Sequence, residues 1–212
     1  MEIVKVQLAR AIWLFDTQEL NPRGLSLYPN IFAALSKRYQ FAVLPKIEEI
    51  QAGGSVYFKQ GKFFHEPSNV SIEIDFEVHG DGVIGSSRHS TEASDEFLFD
   101  CLNWLSEQLG TAYAQALTKK RVYRDELIVS MSPHMDQVAP KLLRISQALS
   151  TISSKSIETT GITFGSDGQP PTLSIERRVN IPFDANRYFS AAGLQTSQHI
   201  EVLKIFEQLM TA

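Results

Sequence analysis

The sequence predicts an α+β fold: a largely antiparallel sheet of about six to eight strands, with helices packed mainly on one face. Two stretches carry that expectation. In Val70, Ile72, Ile74, Phe76 and Val78 every even position is apolar, while Ser71, Glu73, Asp75, Glu77 and His79 fill the odd ones. Strand side chains alternate between faces, so this is a strand with one buried and one wet face, the mark of an antiparallel sheet. The period then changes: Phe97, Leu98, Cys101, Leu102, Leu105 and Leu109 fall on one helical stripe, with Thr91 placed to cap its start and Gly110 to end it.

Taken in order, Val4 to Phe15 reads as a long strand with Val4, Val6, Leu8, Ile12 and Leu14 on one side and Ala9, Ala11, Trp13 and Phe15 on the other. Asn21-Pro22-Arg23-Gly24 marks a loop, and Pro29 suits the first turn of a helix carrying Ile31, Phe32, Leu35 and Tyr39. The stretch 47–52 fits no single element, and Gly53-Gly54 ends it. Gln60-Gly61 reads as a hairpin turn between Ser55–Phe58 and Lys62–Glu66, which makes the region up to His89 a four-strand meander. For the turn at Gly80-Asp81-Gly82 two registers are open: a loop of Asp81-Gly82 sets Asp75 opposite Arg88, and a three-residue loop sets it opposite Ser87.

A short helical turn at Tyr113–Leu117 and a strand over Tyr123–Ser132 follow. The next helix starts between Ser132 and Asp136, or later if Pro140 is to sit in its first turn, and carries Val138, Leu142, Ile145, Leu149 and Ile152. That seam could serve a dimer, but core packing is the preferred reading. Ser156–Phe164 and Thr172–Val179 are strands, Ile181–Gln195 is a long connection, and the last helix starts near Thr196 with Ile200, Leu203, Phe206 and Met210 on its stripe. The chain is read as a single α+β domain over residues 1–212. Its element order also fits two similar β-α-β-β-α halves, 1–110 and 111–212.

With 212 residues, 43% hydrophobic and 21% charged, the chain can bury a large core, and a formal charge of −4 gives no whole-molecule field for nucleic acid. Cys101 is the only cysteine, so there is no intramolecular disulfide and no cysteine-based zinc site. The N-terminus lacks a secretory pattern and no apolar run reaches spanning length, so the expectation is a cytoplasmic protein that does not enter membranes. Nucleophile-elbow, HExxH, phosphate-loop, dinucleotide and calcium-loop motifs are missing, and no cofactor is expected.

Three constellations could carry chemistry. Glu73, Asp75, Glu77 and His79 share one strand face at spacings of about 6.5–7 Å, close enough for carboxylates to share a divalent metal in a hydrolase or nuclease. An ordinary solvated face is the preferred reading. Lys119, Lys120, Arg121 and Arg124 could hold the phosphates of a nucleotide or single-stranded nucleic acid, although Asp125 and Glu126 offset them and nucleic acid is disfavoured as a partner. Phe183, Asn186, Arg187, Tyr188 and Phe189 in the long connection are residues favoured at interfaces. The bland alternative there has Phe183 and Phe189 plugging a sheet edge while Arg187 pairs with Asp184. His65, His134 and His199 are isolated in sequence, the latter two suiting surface or capping positions. The functional expectation is a non-catalytic protein–protein interaction module, an accessory subunit or inhibitor-like partner, that binds another protein or itself as a homodimer.

Overall fold

A computed structural model of the chain describes residues 1–21, 24, 27–45, 55–133, 135, 138, 140–167, 169 and 171–211. The readings at Pro22-Arg23, 47–54, His134 and Asp136 lie outside them. Among the described residues the elements are β1 (Glu2–Leu14), α1 (Tyr28–Tyr39), β2 (Val56–His65), β3 (Val70–His79), β4 (Gly82–Ser87), α2 (Thr91–Leu109) and the single turn α3 (Ala114–Leu117). They continue with β5 (Lys120–Ser130), α4 (Pro140–Ser153), β6 (Gly161–Phe164), β7 (Leu173–Arg177), β8 (Arg187–Ala192) and α5 (Thr196–Thr211).

The strands form one sheet in the order β2-β3-β4-β1-β5-β8-β7-β6, and the ladders within each set of four are antiparallel. The α+β class read from the sequence is therefore the observed one. Each set of four strands is bonded in the same internal order (second, third, fourth, first) with its two long helices at the same places in the chain. By contact the chain divides into two compact units, one of residues 8–124 and one of residues 1–7 with 125–212.

In the 8–124 unit the core is built from one face of each strand. Ala11, Trp13, Phe58, Ile74, Phe76 and Val83 meet the α2 stripe of Phe97, Leu98, Cys101, Leu102 and Leu105, and Leu35 and Tyr39 of α1 join them. Helix α2 is capped by Ser90, whose hydroxyl accepts from the Ala93 amide at 3.1 Å, so Thr91 is its first residue and not its cap. Gly110 ends it with φ +68°.

Two sequence readings here are corrected. Gln60-Gly61 is a bulge inside one continuous strand, not a hairpin turn: β2 pairs with β3 both before and after the register shift between Phe58 and Gly61. Gln60 takes φ +57°, its amide donates to Asp75 Oδ1 at 2.7 Å, and Gly61 lies under the Phe41 ring where a Cβ would come within 2.4 Å. The meander therefore has three strands. The β3–β4 register is neither of those expected, since His79 faces Gly82 and Asp75 faces Ser86 across a Gly80-Asp81 turn. Gly82 is needed within the strand, because a Cβ on it would sit 2.4 Å from the Trp13 carbonyl oxygen.

In the other unit, Leu127, Val129, Met131, Leu173, Ile175, Tyr188 and Leu203 form the core, with Ile200 and Phe206 of α5 packed against it. The Ile181–Gln195 stretch is not a long loop: a turn of 3₁₀ helix at Phe183–Ala185 leads into β8, an interior strand of the sheet. Its buried residues are Tyr188, Ser190 and Ala192, an alternation that small and polar side chains disguise. Helix α4 starts at Pro140, which accommodates the proline where no intrahelical donor is needed.

The two glycines flanking the β3–β4 turn are expected to respond differently to alanine. Gly80 has open space around it and a φ outside the left-handed region, so Gly80→Ala should change stability by no more than about 0.5 kcal/mol. Gly82→Ala must push β4 off β1 and should cost about 2 kcal/mol or more. Urea unfolding midpoints of the two variants measure the contrast.

Candidate functional site

Helix α4 inverts the usual arrangement of an amphipathic helix. Its apolar residues Leu142, Ile145, Leu149 and Ile152 recur at spacings of three and four, which places them on one stripe. They are 42%, 56%, 45% and 82% exposed, so the core-packing reading of this seam is overturned. Among the described side chains of α4 only Ser146 is buried. Ser150 fastens the helix end to the segment that follows it: its Oγ donates to the Ser146 carbonyl at 2.8 Å and accepts from the Ile157 amide at 2.9 Å. Its only charged residues are Lys141 and Arg144, both basic.

The same unit contains a constellation that the sequence reading missed. Ser190 Oγ lies 2.8 Å from His199 Nε2, and His199 Nδ1 lies 2.7 Å from Asp125 Oδ2. Thr196 donates to Asp125 Oδ1 at 2.8 Å and Ser190 donates to the Ser174 carbonyl at 2.8 Å. This is the relative order of nucleophile, base and orienting acid used in acyl transfer. All three side chains are 0% exposed, however, so no substrate carbonyl can approach. Ser190 Oγ thus lies within hydrogen-bond distance of both the Ser174 carbonyl and His199 Nε2, and the Asp125 carboxylate within hydrogen-bond distance of both His199 Nδ1 and Thr196. The result is a closed, satisfied network, and His199 is a core residue, not the surface or capping residue expected. Alternation held the signal: Asp125 shares the parity of Leu127 and Val129 and therefore belonged on the buried face.

The matching place in the 8–124 unit is occupied by smaller groups. Strand register pairs Ala9 with Ser87 and Ala11 with Gly85, as it pairs Asp125 with Ala192 and Leu127 with Ser190. Thr91 and Ser94 at the start of α2 match Thr196 and His199 at the start of α5 in spacing and burial. There Ser94 Oγ donates to the Ala9 carbonyl at 3.0 Å.

The residues singled out from sequence are distributed as follows. Glu73 faces Lys62, Asp75 accepts from the Gln60 amide, and Glu77 is shared between Arg10 at 3.6 Å and His79 Nε2 at 3.2 Å. His79 Nδ1 is 2.7 Å from Ser55 Oγ. Asp75 and Glu77 thus have partners of their own, and no group of three or more His, Cys, Asp or Glu among the described residues is arranged to hold a metal ion.

The basic run is split. Lys120 and Arg124 occupy strand positions of opposite parity to Arg121, whose guanidinium lies 4.0 Å from the Trp13 ring centroid and pairs with Asp95 at 3.1 Å. Lys119 and Lys120 are exposed.

Of the third set, Tyr188 is 1% exposed with its hydroxyl donating to the Pro133 carbonyl, and Asn186 holds φ +45° while its side chain donates to the Ser132 carbonyl. Both are structural. The arginine stacked on Phe183 and Tyr188 is Arg177, not Arg187; it pairs with Glu158 at 2.9 Å and donates to the Phe183 carbonyl. Arg187 is exposed and Phe189 is half-buried.

No protein-family model matches the chain and no curated protein matches it. Among solved structures, Methanococcus jannaschii TBP aligns over 100% of this chain and 98% of its own, at 9% identity and a TM-score of 0.40.

Removing one member of the buried pair should be costly because it strands the other. Asp125→Ala and His199→Ala are each expected to lower stability by about 3 kcal/mol or more, and the double variant by clearly less than the sum. Chemical denaturation of the three variants gives the coupling. Burial also pushes the Cys101 thiol up, and the nearby Asp100 adds to the effect. A disulfide reagent should therefore leave the native protein unmodified and react with one thiol once it is unfolded.

Proposed function

We propose that the protein is a non-catalytic interaction module whose contact surface is the uncovered stripe of α4. The observation that supports this reading is the exposure of Leu142, Ile145, Leu149 and Ile152 in a helix whose one buried described side chain is Ser146. Scattered apolar residues on a surface need no explanation, but four in register along one helix form a contiguous patch of the kind that marks a protein contact. In α1, the helix at the corresponding place in the chain, Leu35 and Tyr39 are 1% and 3% exposed. Exposure of apolar side chains is therefore not general to this position in the topology.

The occupant that fits is an amphipathic helix of another protein carrying acidic residues beside its apolar stripe. Spacings of three and four offer ridges for a second helix, and the exposed Arg144 brings positive charge near the N-terminal end of α4, where the helix dipole already disfavours it. A second copy of α4 would bring no acidic residue to meet it.

A synthetic peptide with leucines at two-heptad spacing and flanking glutamates should bind the wild-type protein, and the same peptide with lysines should not. Ile145→Glu and Ile152→Glu should each weaken the acidic peptide by about 1–2 kcal/mol or more, with unfolding midpoints near the wild type because both side chains are solvent-facing. Equal binding of both variants would remove the case for this face. Sedimentation showing a dimer that Ile152→Glu dissociates would instead make a second copy the occupant and overturn the choice of partner.

A further inference from the structure

The 8–124 unit contains a partly open cavity of about 260 Å³ between α1, α2 and the helix-side face of its strands. Its walls include Ile31 and Leu35 of α1, Phe58 of β2, Val83 of β4, and Leu102 and Leu105 of α2. Protein interiors rarely leave voids much larger than a water molecule. This one exceeds the roughly 150 Å³ of an apolar cavity that stays dry and takes up benzene. Waters filling it would each need two to four polar partners, which such walls do not offer. Ile31 and Phe32 are only half-buried, so the cavity reaches the surface along α1.

Thr17, Gln18, Asn21, His79 and Thr111 are the polar side chains of the lining. Two of them are committed: Thr17 Oγ donates to the His79 carbonyl at 2.8 Å, and the His79 ring sits between Ser55 Oγ and Glu77. Gln18 is exposed. Among the described lining residues there is no lysine, arginine or carboxylate. An ionised ligand would therefore lose its hydration and meet no counter-charge.

We propose that this cavity is a binding site for a neutral apolar molecule of roughly bicyclic size, aromatic or alicyclic, with a single hydroxyl or amide group left at Gln18. The volume sets the size, the walls select an apolar body, and the described lining carries no lysine or arginine to hold a fatty-acid carboxylate or a phosphate. The site lies within the 8–124 unit and rests on none of the argument for α4.

The test is titration of the full chain with 1-naphthol, followed by fluorescence and calorimetry, with decanol and decanoate as competitors. Saturable one-to-one binding is expected, displaced by decanol and not by decanoate. Ile31→Trp and Leu105→Trp, on different helices, each place an indole in the cavity and should weaken 1-naphthol by about tenfold or more while circular dichroism reports the native fold. The proposal is overturned by lack of saturable binding to the wild type, by unchanged affinity in a folded tryptophan variant, or by decanoate competing as well as decanol. If neither variant folds, hydrogen exchange of the wild type decides: slower exchange in α1 and α2 on adding 1-naphthol supports the site, and unchanged exchange there overturns it.

Discussion

Two glycines of β4 set how closely the layers of the 8–124 unit approach. A Cβ on Gly82 would lie 2.4 Å from the Trp13 carbonyl oxygen, and one on Gly85 would lie 2.8 Å from the Ser94 carbonyl oxygen of α2. Only a residue without a side chain lets β1 and α2 come this near, and close-packed interiors transmit such distances to everything above them. At this separation the Trp13 indole N–H reaches Asp95 of α2 at 2.7 Å, and Asp95 in turn holds Arg121 over the indole face. An arginine that reads as a phosphate ligand in sequence is thereby spent on the helix–sheet junction.

The corresponding junction in the other unit is solved with larger, polar groups. Where Ala9, Gly85 and Ser94 stand in the first case, Asp125, Ser190 and His199 stand in the second, closed by Thr196 and the Ser174 carbonyl. A buried carboxylate is tolerable only when its oxygens are satisfied, and here both are. The directional bonds also fix the rotation of α5 about its own axis, since His199 must meet β5 and β8 at once. Triad-like geometry and triad-like chemistry part company at this site because solvent and substrate are shut out.

The helices at corresponding places in the chain differ in how they are held. Helix α1 is anchored by an aromatic core contact and by the bidentate Arg38–Asp100 pair, with Tyr39 also donating to Asp100. Helix α4 buries only Ser146 among its described side chains and leaves its hydrocarbon in water. Burying four such side chains against a partner would recover about 1.5–3 kcal/mol each. That recovery is the physical basis for reading the helix as a docking surface, and it concerns residues quite different from the aromatic cluster around Tyr188.

Much of the architecture was legible in the sequence because it rests on local rules. The alternation of Val70–His79, the stripe of Phe97–Leu109 and the stop at Gly110 depend on neighbours within a turn or a strand, and a single cysteine leaves no disulfide within these 212 residues and no cysteine-based zinc site. The expected strand number falls within range partly because two departures offset each other: the sequence pattern splits β2 in two and hides β8 in a loop-like stretch. What only the tertiary structure decided involved partners far away in the chain. The β3–β4 register depends on the Trp13 carbonyl, the bulge at Gly61 on the Phe41 ring, the burial of His199 on Asp125, and the exposure of α4 on what its unit fails to place over it. Periodicity says that a helix has an apolar face; whether anything covers that face is settled by packing between elements, which no local pattern encodes.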